Sequence, residues 1–201
     1  MDKNQLVAIY LSGLVIAELL RFPQRINRFR DHQVWQKASN QSRIMELVVL
    51  TSVILGFWIF PLMYSFTPWL GAFNYLLPTW AIRIAILLFF WSLIIRLIAQ
   101  LTLSQSWSST LETSENHTFI QSGVYSFTRH PIYVSLIFWA LAQPFLLQNY
   151  LAGVAGAVAV MLIWFVRVPR EEAMMIDIFG DEYLHYMKRT GRFLSVKHTY
   201  K

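Results

Sequence analysis

The chain has 201 residues, 56% of them hydrophobic and 14% charged, with no Cys and a formal charge of +6. A soluble globular chain carries about 25% charged residues, so a compact water-soluble globule is excluded and the bilayer is the expected solvent. The missing Cys excludes disulfide scaffolds, thiolate zinc sites and cysteine nucleophiles. The positive balance then fits loops facing anionic lipid rather than nucleic acid.

A helix needs roughly 20 apolar residues to cross the hydrocarbon. Five stretches come close, at residues 5–20, 47–66, 79–101, 131–147 and 150–168. The expected fold is therefore all-α: a polytopic membrane protein of about five transmembrane helices, ending in a cytoplasmic helical segment. The first stretch resembles a signal peptide, but no small-residue cleavage site follows it, so it reads as a retained span. Two regions follow from this division: a three-span part at 1–101 and a core at 102–201.

Loop charge sets the expected orientation. The first loop carries Arg21, Arg25, Arg28, Arg30, Lys37 and Arg43, and the tail is basic from Arg167 onward. The 67–78 loop and the 148–150 turn have no Lys or Arg. The positive-inside rule places the first loop and the C-terminus in the cytoplasm, and an odd number of spans places the N-terminus outside. Tyr64, Trp69, Tyr75, Trp80 and Tyr150 would then form an aromatic belt at the outer surface.

The short turn Gln148-Asn149 makes spans four and five an antiparallel hairpin. Small residues such as Gly153 and Ala157 let its helices approach closely. Glu18 stands three residues before Arg21 and is expected to pair with it. Arg83 and Arg96 lie within span three and are expected to snorkel, with Arg96 the deeper and the one that could instead face a cavity. Two further segments, 102–130 and the tail after Pro169, fall on one side of the membrane at the ends of the hairpin. The active site is expected there.

At the first junction, Gly123 permits a tight turn. Pro131 suits the first turn of span four and pushes His130 into extended backbone. Such a helix start attracts a carboxylate or phosphate, and Arg129, His130, Tyr125 and Tyr133 surround it with donors and stacking faces. The alternative is a helix start decorated by interfacial residues. At the second junction, Arg167 and Glu171 share a helix face if the helix continues through Pro169. They form either an interfacial salt bridge or a cation–anion pair presented at a membrane-facing site. Glu172 points elsewhere, toward Arg129 or a ligand. Gly180 is expected to interrupt this helix, and residues 181–189 form an amphipathic stretch. The sequence has no glycine-rich phosphate loop and no H-E-x-x-H. Its five His are scattered, so no metal is expected.

Taken in order, S-G-V-Y at 122–125, R-H-P-I-Y at 129–133, the pair Glu171-Glu172, F-G-D-E-Y at 179–183 and Y-x-x-R ending at Arg189 resemble the isoprenylcysteine carboxyl methyltransferase family. That family is related to the membrane phospholipid N-methyltransferases. The resemblance covers the chain from about residue 102 onward. It implies transfer of a methyl group from S-adenosyl-L-methionine to a lipophilic, prenylcysteine-like carboxylate entering from the bilayer, among membrane lipids. Position by position it assigns cofactor contacts to His117, Thr118, Phe119, Ile120, Tyr125, His130, Pro131, Ile132, Tyr133 and Glu171. It puts Arg167 at the substrate and the reaction, and Glu172 is added as a substrate contact. Two departures stand out. Ser135 replaces a frequent Gly, and Thr110 stands near where the family often has an amide.

The chemistry agrees with the resemblance. A helix start at Pro131 can take the cofactor carboxylate, Glu171 its ammonium, and Tyr faces the adenine or the sulfonium. A substrate carboxylate is already ionised at neutral pH, so no general base is needed, and positioning carries the reaction. Arg167 would hold that carboxylate bidentately. An amine acceptor would need Glu172 or His130 as proton acceptor. Two rival activities remain on the same scaffold: a phospholipid or small-amine N-methyltransferase, and an NADPH-dependent membrane reductase.

Overall fold

The computed structural model describes residues 1–30, 40–108 and 120–193. Every named element among them is helical. In chain order they are α1 (Lys3–Arg30), α2 (Asn40–Ile54), a π turn (Leu55–Ile59), α3 (Phe60–Phe66), α4 (Thr79–Ser108), α5 (Pro131–Leu147), α6 (Tyr150–Leu162), a second π turn (Ile163–Arg167) and α7 (Val168–Arg189). Four helical runs are long and apolar enough to cross a membrane: Lys3–Arg21, Ile44–Phe66, Thr79–Leu103 and the apolar part of Tyr150–Arg189. Pro131–Leu147 is apolar but shorter. The five expected stretches are thus all helices. α4 continues without a break to Ser108, so the division at 101/102 falls inside one helix.

The centre is an aromatic cluster that ties four elements. Trp139 of α5 lies edge-on to Phe89 of α4 (centroids 4.6 Å), Tyr10 of α1 (5.8 Å) and Phe57 of the first π turn (6.2 Å). Each of the two π turns ends two residues before a proline, Pro61 and Pro169. Proline has no N–H and its ring crowds the carbonyl four residues back, and a widened turn relieves both problems. The carbonyls left in the first π turn are taken by other spans. Tyr10 Oη donates to Phe57 O (3.0 Å), and Gln143 Nε2 donates to Gly56 O (2.9 Å) and to Ala152 O (2.6 Å).

The hairpin forms as expected. Gln148 takes a left-handed conformation (φ 48°), and Asn149 caps α6 by accepting from Ala152 N–H (3.0 Å). Asn149 Nδ2 also donates to Leu70 O (2.7 Å) and Asn74 Oδ1 (2.8 Å), tying the hairpin tip to the uncharged loop. Tyr75 and Tyr150 meet there at 4.5 Å, while Tyr64 is buried rather than part of an exposed belt. Gly153 lies against Pro144, where a Cβ would come within 2.5 Å of its Cα, so only glycine permits this helix–helix approach. Ala157 is half-buried against the same core.

Arg83 is exposed, as snorkelling requires. Arg96 is 6% exposed, and its Nε has no hydrogen-bond partner among the described residues; the Glu18–Arg21 pair (3.8 Å) lies within electrostatic reach. Arg96 is therefore packed between helices instead of reaching past the interface.

Candidate active site

Three elements meet at the end of the hairpin opposite its tip: the turn Gly123–Ser126 with the strand of chain leading to His130, the start of α5, and α7. Pro131 opens α5, and the first helical bond runs from Val134 N–H to His130 O (2.9 Å). His130 sits at φ −127°, ψ 58°, short of the fully extended backbone expected before proline. A bond from its own N–H to Thr128 Oγ1 (3.3 Å) accompanies that geometry.

The two adjacent glutamates near the start of α7 have different duties. Arg167 Nε donates to Glu171 Oε1 (2.9 Å), the one-turn pairing expected from the spacing. Tyr133 Oη donates to the same oxygen (2.5 Å). The other oxygen, Oε2, stands 3.9 Å from His130 Nδ1 and makes no hydrogen bond or closer ion pair among the described residues. The His130 and Tyr133 rings stack at 5.5 Å. The result is a carboxylate with one oxygen anchored and one available, beside two aromatic faces.

Glu172 is 3% exposed and enclosed by cations. Its Oε1 accepts from Arg129 (Nε 3.1 Å, Nη2 2.8 Å) and stands 3.3 Å from His130 Nε2. Its Oε2 accepts a fork from Arg192 (Nε 2.9 Å, Nη2 2.6 Å). Burial alone would raise this carboxyl, but the His130 and Arg192 hydrogen bonds and the Arg129 charge outweigh it and bring its pKa down to about 2.

Arg129 spends its remaining donors on Met187 O (2.9 Å) and Thr190 O (2.8 Å), and its own N–H on Gly191 O (3.0 Å). Thr128 Oγ1 donates to Arg192 O (2.7 Å), and Tyr186 Oη donates to Tyr125 O (2.5 Å). The expectation that Arg129 presents donors to a ligand is therefore corrected. Its guanidinium is turned inward and clasps the segment after α7 to the loop before α5.

Of the residues expected at the site, Tyr125, His130, Pro131, Tyr133, Arg167, Glu171 and Glu172 converge at these junctions; Ile132 is half-buried one residue into α5, and Ile120 is half-buried where the described loop begins. His117, Thr118, Phe119 and Thr110 lie outside the described residues. Gly180 breaks α7 with φ 52°, as expected, and the helix resumes to bury Tyr183 and Tyr186.

Two contributors were missed. Arg192 reads in sequence as one more tail charge. Glu46 of α2 pairs its Oε1 with Arg167 Nη1 at 2.8 Å. Its only sequence signal is that it is the sole acidic residue between Asp31 and Glu112.

Fold and site together define an integral, multi-pass helical membrane protein with an ionisable cluster where its last two spans emerge. The model of the isoprenylcysteine carboxyl methyltransferase (ICMT) family matches residues 74–177, more than half of the chain, and the chain belongs to that family. It is 34% identical to the protein-S-isoprenylcysteine O-methyltransferase of Rattus norvegicus over 113 residues, covering 55% of this chain and 40% of that protein. Over 78 residues it is 41% identical to the Homo sapiens protein of the same name, covering 39% of this chain and 28% of that one. It is 33% identical to that of Saccharomyces cerevisiae over 98 residues, covering 48% and 41%. These matches span less than half the length of those relatives. The solved structure of the eukaryotic intramembrane Ras methyltransferase ICMT shares the fold, with a TM-score of 0.53 at 22% identity, covering 100% of this chain and 70% of that one.

Proposed function

We propose that this protein transfers a methyl group from S-adenosyl-L-methionine to the carboxylate of a prenylcysteine-like lipophilic substrate that enters from the bilayer. The observation that carries the reading is Glu171: one oxygen fixed by Tyr133 and Arg167, the other open toward His130. The donor set fits the cofactor. Glu171 Oε2 can accept from an ammonium, and the stacked His130 and Tyr133 rings offer faces to an aromatic base or a cation. Ile120, Tyr125, Pro131 and Ile132 would complete this side, with His117, Thr118 and Phe119.

When bound, the cofactor supplies an electrophilic methyl carbon on a cationic sulfur. Arg167, one turn nearer the membrane than Glu171, would hold the acceptor carboxylate in line with that carbon. No residue need move a proton, because the acceptor arrives ionised. Glu172, expected as a substrate contact, is assigned instead to holding His130 and the two arginines, which keeps the Glu171 face in place. The C-terminus lies in the cytoplasm and the N-terminus outside. Reporter fusions at Asp2 and Lys201 should read opposite sides of the membrane, and finding both on one side would reject this orientation.

Calorimetry of the purified protein tests the cofactor. S-adenosylhomocysteine should bind and NADPH should not. Glu171→Gln should weaken S-adenosylhomocysteine binding by about 10- to 100-fold, the worth of a charge-assisted hydrogen bond. An unchanged dissociation constant would remove Glu171 from the site.

A further inference from the structure

Arg167 is 18% exposed and lies between two carboxylates, Glu171 on Nε and Glu46 on Nη1. The two differ in how they are held. Glu171 is on the same helical run and is also bonded by Tyr133. Glu46 comes from another span, is 44% exposed, and is held by Arg167. Its position is set by Val49, three residues on, which is buried in one cluster with Ile163, the first residue of the second π turn, and Val168, the first of α7. Around it, Ile44 (64% exposed) and Leu47 (62%) present apolar surface suited to lipid. Glu46 therefore stands on the bilayer edge of the cluster, on the guanidinium that the substrate carboxylate requires.

We propose that Glu46 is an internal stand-in for the acceptor carboxylate, holding Arg167 in the empty protein, yielding it to substrate, and reclaiming it after reaction. The inference rests on the carboxyl-transfer reading above. With Glu46 and Glu171 both in place, one positive charge faces two negative ones, so an incoming carboxylate competes with them for Arg167. Glu46 is the one without a second anchor among the described residues. In the transfer, an oxygen of the acceptor carboxylate forms a bond to the methyl carbon while the carbon–sulfur bond of the donor breaks, its electron pair staying on sulfur. The product ester is neutral. Arg167 then keeps only Glu171 as an anionic ligand, and Glu46 re-forms its pair as the neutral ester leaves. Glu46 thereby sets the affinity for the ionised acceptor and leaves that for the neutral ester unaffected.

The test is the binding of an N-acetylated prenylcysteine acid, and of its methyl ester, to the full chain and to Glu46→Gln and Glu46→Ala. Removing a competing ion pair of this partly exposed kind should tighten acid binding by about 3- to 5-fold in both variants. Ester and S-adenosylhomocysteine affinities should stay as they are. Acid affinity that is unchanged or weaker, acid and ester tightening together, or no acid binding in any variant would each overturn the proposal. Methyl transfer to the same acid is measured in parallel. Absent transfer with the expected binding pattern would sink the reaction reading and leave Glu46 as the occupant of an anion seat.

Discussion

Replacing Glu172 by Ala is expected to lower stability by about 3–5 kcal/mol, because it leaves a buried guanidinium without its counter-charge. Arg129 and Glu172 are 8% and 4% exposed at their side chains, and Arg192 forks onto the same carboxylate. Without it, two cations face each other across His130. The loss should show as a lower thermal midpoint in detergent at neutral pH. A drop equivalent to less than about 1 kcal/mol would mean that the cluster is solvated like a surface pair. The acid limb has a defined sign. A carboxyl whose folded pKa is depressed contributes stability above the ordinary carboxylate range and loses it as pH falls through the folded value, here about 2. The wild-type protein should keep this contribution at pH 5, and Glu172→Ala should flatten the acid limb.

Arg167→Lys is expected to cut methyl transfer to a prenylcysteine acid on the order of 10²-fold, as a misplaced reactant does. Lysine keeps the charge but loses the planar fork that now spans Glu171 and Glu46. S-adenosylhomocysteine affinity should change little, since Tyr133 still anchors Glu171. The assay runs labelled methyl transfer to prenylcysteine and to phosphatidylethanolamine side by side. Transfer to the amine lipid alone, insensitive to this substitution, would overturn the carboxyl reading and favour an N-methyltransferase.

The spans and both junctions were legible because lipid imposes long apolar runs and charge marks their ends. The Arg167–Glu171 pairing was legible because a single helical turn sets it. What escaped depends on contacts between distant segments. Glu46 reaches Arg167 only because Val49 seats α2 against the second π turn, and nothing in the local sequence announces that packing. Arg129 was read as a ligand donor because it neighbours His130, yet the carbonyls of Met187 in the last turn of α7 and of Thr190 and Gly191 beyond it, with the Glu172 carboxylate, claim it. Arg192 was indistinguishable from the other basic residues of the tail. The two π turns were not foreseen either, although each stands just ahead of a proline.

Those turns bear on how residues of this chain are matched to those of its relatives. A π turn within an α-helix holds one residue more than the α turn it replaces. The extra residue is absorbed where it occurs, and the helix on either side keeps its facing. Removing one residue from an ordinary stretch would instead rotate everything beyond it by about 100°. Spans two and five can therefore gain or lose a residue at 55–59 or 163–167 while Glu46, Arg167 and Glu171 keep their facing toward one another. When a shorter relative is aligned, the gap belongs inside the membrane helix, not in the loop where convention would put it.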